Sequence, residues 1–147
     1  MKRYLGVLIP TVGFIVSAGI AAWLIHVYLP WDRLIYLILP HRFIRSVVLA
    51  VMLCLLIAAV VVGIKALSDR DGRFNRELLA LALLSTLPGG LAVYERVEAS
   101  RSFLSQYNFI TFADRAPPLI EASLIAAMAF LISTVAMTFR AMGDRRG

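Results

Sequence analysis

The sequence carries few chemically reactive side chains: one cysteine, two histidines and only 16% charged residues in 147. With Cys54 alone, no disulfide can form within the chain. That excludes the thiol relays of four-helix membrane disulfide oxidoreductases, and cysteine-based zinc and iron–sulfur sites with them. Cys54 lies in an apolar run and is expected to be a small core residue. His26 and His41 flank one short segment, so they do not project from facing helices as bis-histidine haem ligation requires. Their amphipathic rings suit a membrane–water interface. Neither a metal nor a cofactor is expected.

Asp, Glu, Lys and Arg are also missing from the centre of every long apolar block. A proton-coupled transporter needs an ionisable group at membrane depth to take up and release the proton, so pumps and small drug exporters built on an embedded glutamate are disfavoured. No internal repeat is apparent, which leaves an inverted-repeat transporter without support.

What is present is apolar surface. Hydrophobic residues make up 61% of the chain, against about 45–50% for a soluble domain, and they are gathered into blocks with the charges between them. This pattern predicts a single all-α membrane domain, a four-transmembrane-helix bundle with short interfacial helices, over residues 1–147. The spans are expected at 4–29, 43–66, 78–94 and 119–139. The first follows Lys2-Arg3 and exits into Trp23, His26, Tyr28 and Trp31. It is too long for the apolar core of a signal peptide, so it reads as an uncleaved span with an aromatic anchor.

Between Pro30 and Pro40, WDRLIYLIL is too short to cross and is expected to lie flat in the interface. Asp71-Gly72 reads as a turn, with Asn75 as the cap of the next helix and Glu77 in its first turn. The third block is interrupted by Pro88-Gly89-Gly90, which predicts a kinked or re-entrant segment with Thr86, Pro88, Gly89 and Gly90 at a helix break. Residues 95–118 are expected to form an amphipathic interfacial helix and a loop ended by Pro117-Pro118.

The +6 charge sits at span ends rather than in one continuous patch. It fits anionic head groups better than a phosphate backbone, so lipid and not nucleic acid is the expected partner. With four crossings, the side holding both termini and the Lys65–Arg76 connector carries nine Lys and Arg residues, against six on the other. The positive-inside rule then places both termini in the cytoplasm, within a bacterial inner (plasma) membrane.

Three local features bear on function. Gly13, Ser17 and Ala21 recur at four-residue spacing in the first span, continued by Gly6 and Pro10, and small residues in that register let another helix approach. Ser133, Thr134 and Thr138 can each bond to the carbonyl one turn back, and no base lies at their depth, so no enzyme is expected. Glu121 reads as a carboxylate at a helix N-terminus. The surrounding APPLIEASLIAA resembles the last helix of the MotA, TolQ and ExbB proton-channel family, but Ala127 stands where that family's ion path is lined by threonine, and the resemblance is set aside.

Two functional expectations follow. The first is a non-catalytic protein that packs against a membrane-inserted partner through Gly13, Ser17 and Ala21 or the charged Glu95, Arg96, Glu98 and Arg101. By analogy of architecture it would be an immunity-type protein against a pore-forming toxin or an accessory subunit. The alternative is an oligomeric channel or transport subunit lined by the broken third span.

Overall fold

The computed structural model describes residues 2–28, 43–69, 72–106 and 112–144. They form four helices: α1 (Lys2–Tyr28), α2 (Phe43–Ser68), α3 (Asn75–Gln106) and α4 (Phe112–Gly143). All four contain a stretch long and apolar enough to cross a membrane. Helix is the form such segments must take, since lipid offers no partner to an unpaired backbone N–H or C=O. The expected interfacial segment between Pro30 and Pro40, together with His41, lies outside the described residues.

Two boundaries differ from expectation. α3 runs unbroken through Pro88-Gly89-Gly90 and continues past Glu95 to Gln106, so the helix break at Thr86, Pro88, Gly89 and Gly90 is not formed. Its 32 residues span about 48 Å at 1.5 Å per residue, well beyond the roughly 30 Å hydrocarbon core. The charged Glu95–Arg101 turns therefore belong to the same helix as the apolar stretch. Likewise Pro117-Pro118 does not precede α4 but lies inside it. The two prolines cost only the bonds to residues 113 and 114, in the turn before the span that starts at Ala116.

α4 is the axis of the fold. It packs on each of the other three helices, α3 also touches α2, and α1 rests chiefly on α4. A triangle of α2, α3 and α4 thus carries α1 on one side. The main core reflects this, with Met52, Ala59, Leu78, Ala82, Ile132 and Ala136 buried between the triangle's helices. A second, smaller cluster joins Leu24 of α1 to Ala116 and Ile120 of α4. Only 11% of α1's most apolar window is buried in the bundle, against 39% for α4, which makes α1 the peripheral helix.

Contacts fix the directions. Added Cβ atoms on Gly6 and Gly13 would each fall 2.7 Å from α4, at Met137 and the Phe130 ring, so α1 and α4 run antiparallel. Gly63 abuts the Phe139 ring and Gly143 lies near the Ala66 carbonyl, so α2 runs parallel to α4. Both chain termini consequently lie at the same end of the bundle, with the α2–α3 turn. That turn needs Gly72, whose φ of +65° is the left-handed conformation that side chains disfavour.

Candidate functional site

The polar groups of the described residues concentrate on the α3–α4 hairpin, where three contacts tie the antiparallel helices at three heights. At the terminal end Asn75 Nδ2 donates to Asp144 Oδ1 at 2.6 Å. Halfway along, Ser133 donates to the Ala82 carbonyl at 2.9 Å and lies 3.1 Å from the hydroxyl of Ser85. At the far end Arg96 Nε meets Glu121 Oε2 at 3.1 Å, with both side chains largely covered.

Each contact revises an expectation. The Leu78 N–H bonds to the Phe74 carbonyl, so Phe74 holds the cap position and Asn75 is the first helical residue, its side chain free to reach Asp144. Thr134 and Thr138 do bond back one turn, to Phe130 and Thr134. Ser133 instead crosses to α3, because it points into the helix contact where a carbonyl of the neighbouring helix is closer to hand. Glu121, read from the sequence as a carboxylate at a helix N-terminus, is not there: α4 starts at Phe112, so Glu121 lies in its third turn and meets Arg96 of α3.

The hairpin closes on small residues. Ala82, Ser85, Gly89 and Ala92 are buried along one face of α3, opposite Ala129, Ser133 and Ala136 of α4. A Cβ on Gly89 would stand 2.7 Å from the Ala129 Cβ and 3.3 Å from Met52 Cε. Gly89 therefore makes a three-helix contact possible, which explains a glycine beside a proline within a helix. The register was visible in the sequence at three- and four-residue spacing, as visible as the stripe on α1.

The other candidate residues are dispersed. Ala21 is buried, Gly13 lies on Phe130 and Ser17 is half-buried between them, so this stripe faces α4 of the same chain. Glu95 is exposed, and Glu98 and Arg101 form an exposed pair at 4.0 Å. Thr86 is exposed and donates to the Leu83 carbonyl at 2.6 Å, Pro88 is half-buried, and Gly90 has open space around its Cα. Cys54 is exposed, not a core residue. It falls on the side of α2 turned away from Met52, Ala59 and Ala66, which the packed face claims.

No group of His, Cys, Asp or Glu suited to a metal ion occurs among the described residues. Thr11, Thr86, Ser123, Thr134 and Thr138 all donate to a carbonyl of their own helix. A hydroxyl so committed gives its proton to a backbone carbonyl rather than to a side-chain base. What remains outward is apolar: Leu8, Val12, Ile15, Val16 and Trp23 on α1, and Leu83, Leu87 and Leu91 on α3. Comparison with protein-family models, with curated proteins and with solved structures gives no match.

Proposed function

We propose that the chain is a small non-catalytic protein of a bacterial inner membrane, with both termini in the cytoplasm, that works by packing a helix face against a membrane-inserted partner. An immunity-type protein against a pore-forming toxin and an accessory subunit of a membrane complex are the two forms this reading takes. It is supported by the disposition of polar groups at depth: hydroxyls are bonded to backbone, while α1 and α3 turn apolar side chains outward. Such a surface lacks the means for nucleophilic chemistry but retains van der Waals packing, a main force between helices in lipid.

The alternative, an oligomeric channel or transport subunit, would line its path with the Thr86–Gly90 segment. Gly89 is occupied against Ala129, and Thr86 and Gly90 are flanked by exposed Leu83, Leu87 and Leu91, which makes that face a poor lining for water. The two readings separate by experiment. A photo-crosslinking residue at Val16 or Leu87, activated in native membranes, is expected to yield one discrete protein adduct on at least one of the two faces. Adducts to lipid alone at both positions, or ion flux through proteoliposomes of the purified chain, would count against the interaction reading.

A further inference from the structure

The two ends of the bundle treat their cations differently. At the end away from the termini, two arginines have acidic neighbours: Arg96 pairs with Glu121 at 3.1 Å and Arg101 with Glu98 at 4.0 Å. At the terminal end, Lys65, Arg73, Arg76 and Arg140 form no ion pair or side-chain hydrogen bond among the described residues. Lys65, Arg73 and Arg76 are exposed and Arg140 is half-exposed. Asp144, the acid nearest Arg140 in sequence, is engaged by Asn75 at 2.6 Å. The fold gathers these four groups, since Asn75 meets Asp144 and Gly143 approaches Ala66 at that same end.

The charge count agrees with the pairing. Among the described residues, the terminal end has six basic and three acidic residues, the other four and four. The net positive charge of the described residues is therefore at the terminal end. Lys65 and Arg140 also lie in the last turns of α2 and α4, where the spans leave the hydrocarbon and phosphates begin. Cations at that height with no acidic partner among the described residues are placed for a phosphate.

We propose that Lys65, Arg73, Arg76 and Arg140 form a face that holds the head groups of anionic phospholipids in the leaflet at the terminal end. The face selects lipid by charge, and it needs no protein partner. The full chain, purified in mixed micelles of phosphatidylglycerol and phosphatidylcholine, is expected to retain the anionic lipid with at least about fivefold enrichment, the preference that one cation near an anionic surface supplies. The variant K65Q/R73Q/R76Q/R140Q should lose the enrichment, and R73K/R76K/R140K should keep it. E98Q/R101Q at the opposite end should leave it unchanged.

Absence of enrichment in the natural chain, or its survival in the glutamine variant, overturns the proposal. So does its loss on replacing chloride by inorganic phosphate at equal ionic strength, since the face would then bind free phosphate rather than lipid. If the glutamine variant lacks the helical circular dichroism of the natural chain, Arg73→Gln and Arg76→Gln are read singly. They lie in the turn and first helical turn, outside the core, and no drop in either overturns the proposal equally.

Discussion

The hydroxyls of Ser85 and Ser133 stand 3.1 Å apart across the α3–α4 contact, and both reach the Ala82 carbonyl, at 2.8 and 2.9 Å. A carbonyl has two lone pairs, so one oxygen serves as the common acceptor for a serine of its own helix and a serine of the next. With Gly89 on Ala129 one turn further along, the middle of the hairpin joins a polar contact to a close approach of the two helices.

The serines are not equivalent, and substitution should reveal it. Ser85 makes its short bond within its own helix, at 2.8 Å, and reaches the Ala129 carbonyl across the contact only at 3.4 Å, whereas Ser133 supplies the short donor that crosses, at 2.9 Å. Ser133→Ala is expected to cost more than Ser85→Ala, about 0.6 kcal/mol and at most roughly 1.7, the range of interhelical hydrogen bonds in membranes. A double-mutant cycle read by reversible unfolding in mixed micelles checks this. Equal losses, or a coupling of zero, would contradict the shared-acceptor geometry.

Adjacent glycines in α3 provide a stricter contrast. A methyl at Gly89 would meet the Ala129 Cβ, which cannot rotate aside, and then Met52. Gly89→Ala is therefore expected to destabilise by about 1–3 kcal/mol through overpacking. At Gly90 the same methyl meets open space, and the gain in helix propensity should make Gly90→Ala neutral or stabilising by about 0.5–1 kcal/mol. Thermal unfolding of the two variants in one detergent tests the pair. The same order of stability in reverse would mean that α3 is rotated from the face described.

The four helices long and apolar enough to cross a membrane were legible in the sequence because lipid imposes a length and a composition that a chain can hardly disguise. The faces were not. In a helix apolar all round, as α2 is, the contrast between core and surface that marks a soluble helix is erased, and Cys54 gave no sign that it faces outward. Proline and glycine were misread for a related reason. Pro88-Gly89-Gly90 has the composition of a break, but Gly89 is set against Ala129 by a contact 40 residues away in the chain, which offsets the poor local propensity. Asn75 with Asp144 and Arg96 with Glu121 are likewise long-range partners that no local spacing announces.

Arg96 and Glu121 form a partly covered ion pair, with 20% and 14% of their side chains exposed. Removing one partner leaves the other charge poorly hydrated, so Arg96→Ala or Glu121→Ala is expected to cost about 1–3 kcal/mol. The exchange R96E/E121R should recover part of that loss, since the geometry favours opposite charges whichever helix carries each. Unfolding in micelles measures it. A double exchange no better than the worse single variant, R96E or E121R, would show that the contact is incidental.

Cys54 offers a direct check on the solvent of the bundle. It is the only thiol in the chain, it is exposed, and it stands in the interior of the Val47–Ser68 span. If that surface faced water, any maleimide could reach the thiol. Against acyl chains a membrane-impermeant charged maleimide cannot reach it, since the reagent's charge keeps it out of the hydrocarbon. Intact membranes should thus leave Cys54 unlabelled by the charged reagent, while the same protein unfolded in a denaturing detergent labels fully. As a positive control, Ser68→Cys in a Cys54→Ser background moves the thiol to the exposed last residue of α2, at the water interface, where labelling in opened membranes is expected within minutes. Rapid labelling of Cys54 in intact membranes would place water along the middle of α2, and the transmembrane assignment of that helix would fail.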